Sequence, residues 1–188
     1  MKLTTIHTGN FKLDGGAMFG VVPKTLWSKI NPADENNMCN WAMRCLLIEV
    51  NDRKVLIDTG IGDKQSEKFY SHYYLNGETS LSNSLEQIGV GFDEITDVLL
   101  THLHFDHCGG AVVQSDGELT PAFPNATYYT TEAHWNHANN PNPREKASFL
   151  KENFTTLKEK NVLEFVNEGD FIAEAIEVLP VEPVRRRT

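Results

Sequence analysis

The run Thr101-His102-Leu103-His104-Phe105-Asp106-His107-Cys108-Gly109-Gly110 constrains this chain more than any other stretch. It follows Asp97-Val98-Leu99-Leu100, a short apolar segment that reads as a buried strand. The chain therefore leaves a core strand and at once offers three imidazoles and a carboxylate. In extended backbone, residues two apart point the same way, so His102 and His104 can grip one ion together. Asp106 and His107 are adjacent, so the backbone must turn between them to aim both inward. Gly109 and Gly110 then let the chain leave tightly. Imidazole and carboxylate are donors that zinc accepts, and iron and manganese use them too. Four such donors exceed the need of one tetrahedral ion that keeps an open position. The economical reading is two sites, His102 with His104 and Asp106 with His107. Two ions about 3.5–4 Å apart can share and activate a water. A lone histidine here would read as incidental; three with an aspartate, closed by Gly-Gly, read as metal ligands.

His102, His104, Asp106 and His107 complete an H-x-H-x-D-H pattern. By that pattern the chain resembles the metallo-β-lactamase-fold hydrolases. The resemblance implies an α/β fold, here the N-terminal part of an αββα sandwich. It also implies hydrolysis by metal-activated water at two zinc ions, other divalent metals being admissible, with Asp106 serving catalysis as well as metal binding. Asp58, in Leu56-Ile57-Asp58-Thr59-Gly60, could by itself be a turn residue at a strand end. The resemblance makes it the group that orients the histidine loop, since metal-bound His commonly gives its other N–H to a carboxylate.

The Gly-rich segment 9–23 carries Phe11, Met18 and Phe19, with Leu26 and Trp27 beyond. Loops usually stay polar, so this one tucks against something. It is either a cover for a sheet edge or a flap that forms one apolar wall of a substrate pocket. Asp14-Gly15-Gly16-Ala17-Met18-Phe19-Gly20 resembles the lactonase and methyl-parathion-hydrolase-like branch, which assigns Met18 and Phe19 to the substrate. The expected substrate is a small molecule with an ester-like bond, such as a lactone. Thiolester hydrolysis of the glyoxalase II kind is the near alternative. A flavo-diiron oxidoreductase would place an acid where this chain has His104. A non-catalytic metal-binding fragment is the third class.

Composition narrows the partners. The chain has 188 residues, enough for one domain with a real core. Seventeen Lys and Arg against 26 Asp and Glu give a net charge of −9, which disfavours a nucleic-acid partner and the nuclease branches of the family. No stretch could span a bilayer, and the N-terminus lacks a long apolar signal region. Three cysteines, Cys39, Cys45 and Cys108, lack zinc-finger spacing and fit reduced thiols in the cytoplasm. A homo-oligomer is compatible with all of this.

Along the chain, strands are expected at Leu3–His7, Trp41–Val50, Lys54–Asp58, Ala126–Thr130, Val162–Val166 and Ile176–Val181. Helices are expected over 80–88, from Thr131, and over 144–160, the last being the longest amphipathic one. Gln114–Pro124 reads as a surface loop. His134 and His137, three residues apart, are assigned to a solvated helix face, and Cys108 to a small buried thiol. Residues 1–181 form the expected domain and 182–188, with Arg185, Arg186 and Arg187, a solvated tail. In the resembled family a His in a Gly-His-Thr-like loop, a bridging Asp and a final His follow later. No His follows His137 here, so the chain reads as an N-terminal portion and is expected to be a poor catalyst alone.

Overall fold

The computed structural model describes residues 1–174 and 176–179. The chain opens with β1 (Lys2–Asp14), then the one-turn helices α1 (Gly15–Phe19) and α2 (Lys24–Trp27). Next come β2 (Met38–Val50) and β3 (Arg53–Ile57), joined by a tight turn at Asn51, then α3 (Glu67–Ser71) and α4 (Leu81–Gln87). After β4 (Asp97–Leu99) come α5 (Phe105–Cys108), β5 (Val112–Ser115), β6 (Glu118–Pro121), β7 (Thr127–Thr130) and α6 (Glu132–Asn139). The last elements are α7 (Thr155–Glu159), β8 (Leu163–Phe165), β9 (Phe171–Ala173) and β10 (Ile176–Glu177).

Six strands form one sheet in the order β1-β2-β3-β4-β7-β8. The first three are antiparallel, and β3, β4, β7 and β8 run parallel. Alternation sends Leu47, Leu56, Val98 and Tyr128 to one face, where Leu85, Leu103, Phe123, Phe154 and Leu157 cover them. Val55, Ile48 and Val50 point the other way and meet Ile172, Ala173 and Val178 of the β9–β10 region. The parallel strands end together at Leu99 and Thr130, and the histidine loop starts there. That is where an open α/β sheet offers its crevice.

Several expectations are corrected. The first strand does not stop at His7: β1 runs on to Asp14 through a bulge at Thr8–Gly9, where Gly9 has φ +112°. Residues 9–14 of the Gly-rich segment are therefore strand, and its Phe11 is core. The expected helix over 144–160 is broken into two 3₁₀ turns, Lys146–Ser148 and Lys151–Asn153, and α7. Its apolar side chains serve different clusters: Leu150 joins Phe11 and Phe105, whereas Phe154 and Leu157 join the main core. A straight helix could not deliver both, so Phe149 and Leu150 are extended. The expected loop at Gln114–Pro124 contains the β5–β6 hairpin. Its turn residues Asp116 and Gly117 both have positive φ, as the tight primed turn requires. The end of the last expected strand, Pro180 and Val181, and the basic tail lie outside the described residues.

Candidate metal centre

The loop after β4 stays extended through Thr101–His104 and then coils into α5. His102 and His104 thus come from extended backbone, and Asp106 and His107 from the single helical turn that aims both the same way. The rings of His102 and His104 are 4.6 Å apart, and those of His102 and His107 are 3.9 Å apart. His107 Nε2 lies 3.5 Å from Asp106 Oδ2.

Asp58 stands behind this loop. β3 ends at Ile57, and Asp58 turns away with φ +60°, a left-handed conformation that a non-glycine residue adopts at some cost. Its carboxylate accepts from the Thr101 N–H at 2.8 Å and from the Thr101 hydroxyl, and lies 2.8 Å from His107 Nδ1. Thr101 Oγ1 is in turn 3.1 Å from His102 Nδ1. The threonine has one proton and gives it to Asp58, so it can only accept from His102. His102 then carries its proton on Nδ1 and presents a bare Nε2, the form in which imidazole binds a cation; His107 also holds a proton on Nδ1 against Asp58, and its Nε2 is bare when the ring is neutral. Burial, with His107 and His104 close by, pushes the His102 pKa down to about 3, so this ring stays neutral. His104 is likewise lowered by burial. Burial opposes charge on His107 too, but the bond to Asp58 and the nearby Asp106 and Asp58 charges outweigh it and raise its pKa.

The glycines hold the loop by close approach. Thr59 donates its N–H to the His107 carbonyl at 2.7 Å, and Gly110 donates to Gly60 at 3.1 Å. A Cβ on Gly109 would overlap the Ile61 carbonyl, and one on Gly110 the Thr59 carbonyl. The expectation that these glycines merely let the chain turn is thus replaced: they let the Asp58 and His107 loops lie backbone to backbone. Cys108 is fully buried at this junction, and burial raises its thiol pKa.

His134 departs from the solvated face assigned to it. Its Nε2 accepts the Leu103 N–H at 2.8 Å, so it braces the histidine loop from α6. Burial, with His137 and His104 near, lowers its pKa to about 4 and keeps that nitrogen an acceptor. The same bond removes His134 Nε2 from any metal. His137 is exposed and pairs with Glu145 at 2.9 Å. The Leu103–His134 contact spans 31 residues and leaves no local trace in the sequence.

Met18 and Phe19 are placed differently from the metal residues. Phe19 stacks on Trp27 at 4.7 Å and leans on Trp41 at 5.6 Å, while Met18 is exposed. Neither lines the cavity beside Asp106 and His107. Trp41 packs against the cluster of Phe11, Met43 and Phe105, which connects Phe19 to the neighbourhood of the site at one remove.

Among the described residues no three His, Cys, Asp or Glu side chains form a ready metal cage. The donors fit divalent cations in pairs: two neutral imidazoles, and an imidazole beside a carboxylate. Residues 44–184 match the metallo-beta-lactamase superfamily. The chain belongs to that superfamily. An N-acyl homoserine lactonase of Bacillus thuringiensis is 26% identical over 117 residues, covering 57% of this chain and 44% of the lactonase. A probable metallo-hydrolase of Mycobacterium tuberculosis is 31% identical over 109 residues, covering 50% of this chain and 35% of that protein. Among solved structures, a probable metal-dependent hydrolase from Staphylococcus aureus superposes with TM-score 0.82 at 33% identity, over 92% of this chain and 61% of that one. A dizinc quorum-quenching lactonase superposes with TM-score 0.69 at 20% identity, over 92% of this chain and 60% of that one, and shows the shared fold. The chain thus spans less than half the length of the curated relatives it matches. Its superfamily relatives and structural neighbours are hydrolases. Among the described residues, no helix is long and apolar enough to cross a membrane.

Proposed function

We propose that this chain carries the metal loop of a dinuclear zinc hydrolase that opens an ester-like bond of a small molecule, such as a lactone. The observation that carries this reading is the relay from Asp58 to His107 and, through Thr101, to His102. It fixes two imidazoles in the tautomer a metal needs and leaves Asp106 free beside one of them. His102 and His104 would hold one ion, and Asp106 and His107 the second. Bound zinc would acidify a water to a nucleophile near neutral pH. Asp58 accepts the His107 Nδ1 proton and keeps Nε2 aimed. Asp106 has Oδ2 near His107, and its other oxygen is available to hold a proton during bond cleavage. Leu103 and Phe105, both buried, keep water from the back of the loop. Met18 and Phe19 would act on substrate choice through Trp41, as the outer part of an apolar wall.

The test measures bound zinc and hydrolysis together. The chain is dialysed against chelator, reloaded with zinc, and offered N-hexanoyl homoserine lactone, a glutathione thiolester and an aryl phosphotriester. Zinc-dependent lactone opening that His102→Ala with His104→Ala abolishes supports the reading. Preferred thiolester turnover would move the chain to the glyoxalase II kind. Retained zinc with no turnover of any substrate would leave a metal-binding fragment.

A further inference from the structure

We propose that Phe149 is the positioning residue of His104, an aromatic brace that fixes this ring where hydrogen bonds fix the other two imidazoles of the loop. The role rests on the dinuclear-site reading, in which His104 is a ligand. A metal-bound imidazole ordinarily gives its second nitrogen to a protein acceptor, which sets both its tautomer and its direction. His107 has Asp58 in that place, and His102 has Thr101. Among the described residues, neither ring nitrogen of His104 has a hydrogen-bond partner. What meets the ring instead is Phe149, with centroids 4.7 Å apart and planes at 63°, close to the edge-to-face arrangement that aromatic pairs favour. Its other ring neighbour is His102, at 4.6 Å and 74°. An imidazole without hydrogen bonds can swing about its side-chain torsions, so these two rings are what restrict it.

Phe149 is itself well held. It is buried, and its ring also lies 5.5 Å from His137 and 5.9 Å from His134. The backbone there is extended, with φ −106° and ψ 104°, so Phe149 and Leu150 leave it on opposite sides. Leu150 joins the cluster that contains Phe105, and Phe149 goes to His104. The broken helix thus serves two consecutive residues of the metal loop. Asn153, fully enclosed, accepts from Gln65 Nε2 at 3.2 Å, and Phe154 enters the main core, so the segment is tied on both sides of the molecule. A brace made only of carbon leaves both nitrogens of His104 open and cannot compete for the ion. The consequence is a ligand whose direction is set before the ion arrives and whose tautomer is not.

The experiment records imidazole proton and nitrogen shifts of the metal-free chain in mildly alkaline buffer. It also measures zinc affinity by competitive chelator titration. Parent, Phe149→Leu and Phe149→Tyr are compared: leucine keeps most of the apolar bulk without the ring, and tyrosine keeps the ring. In the parent, His104 should show both tautomers where His102 shows one. In Phe149→Leu, the His104 ring protons should lose their ring-current shift and become mobile, the His102 tautomer should stay, and zinc affinity should fall about ten-fold. Phe149→Tyr should recover most of that loss. Parent-like zinc affinity in Phe149→Leu, an equal loss in Phe149→Tyr, a single His104 tautomer in the parent, or a His104 ring no more mobile in Phe149→Leu would overturn the brace. Zinc held as tightly by His104→Ala as by the parent would strike the metal-site reading instead, and the metal-free spectra would still decide whether Phe149 orders the ring.

Discussion

Asp58 does more than its place in a turn suggests. It accepts from the backbone and hydroxyl of Thr101 and sits against His107, so one carboxylate sets both the path of the loop and the tautomer of two rings. Asp58→Asn keeps the shape but puts an amide where His107 needs an acceptor. Zinc affinity should fall by about 10–100-fold in a competitive chelator titration, while the fold is kept. Parent-like affinity would reduce Asp58 to a turn residue. A second buried carboxylate, Asp97, is fully enclosed and is held by Arg53, with Thr96 and Tyr129 also donating. Arg53→Ala should destabilise the chain by about 3 kcal/mol in urea unfolding, because the charge stays buried with weaker partners. At this scale the sequence was readable wherever the chemistry was local. The four motif residues could be named because their types and spacing state the need, and Asp58 only through the family resemblance, since its partners lie 43 and 49 residues away. His134 could not, because it takes its meaning from Leu103, distant in the chain.

Among the elements, hydrophobic period was a good guide for strands and a poor one for the stretch before β8. Strand residues alternate between two fixed faces, so β2, β3 and β7 could be read directly from their side chains. The segment 144–160 has apolar residues at near-helical spacing, yet Phe149 packs on His104 at 4.7 Å and Leu150 on a different cluster from Leu157. Tertiary demand divided it. The Asp116-Gly117 pair was a legible hairpin signal hidden inside a polar stretch. The Gly109–Ile61 approach belongs to this scale too. Gly109→Ala forces the two loops apart and should cost about 1–3 kcal/mol, the usual range for overpacking. It should also weaken zinc binding, although the variant removes no donor. A melting temperature and zinc affinity both equal to those of the parent would show that the loops do not depend on this contact.

Across the whole molecule, the sheet has one thoroughly covered face and a second that the β9–β10 region covers beside β2 and β3. The histidine loop grows from the edge between them, so its stability is coupled to both layers. Zinc at about 100 times its dissociation constant should stabilise the chain by about 2.7 kcal/mol in thermal melts, and His102→Ala with His104→Ala should lose most of that gain. An equal shift in both proteins would place the metal elsewhere. Fold class was legible because strand pattern and motif agree, and the superfamily match over residues 44–184 includes both. Substrate choice was not, because Phe19 lies against Trp41, which packs on the cluster beside the site, and lines no part of the cavity at Asp106 and His107.

The backbone pairing of Thr59 and Gly60 with His107 and Gly110 separates two properties that metal sites often join. The loop's shape is held by main-chain bonds and by buried Leu103, Phe105 and Cys108, and none of these supplies a donor in the proposed site. His104 and Asp106, the two donors outside the Asp58 relay, are therefore exchangeable parts on a fixed frame. Replacing His104 by Asp would alter cation preference toward harder, oxygen-seeking ions while leaving the frame intact. A lineage could change its metal, and with it its chemistry, without having to refold around the change.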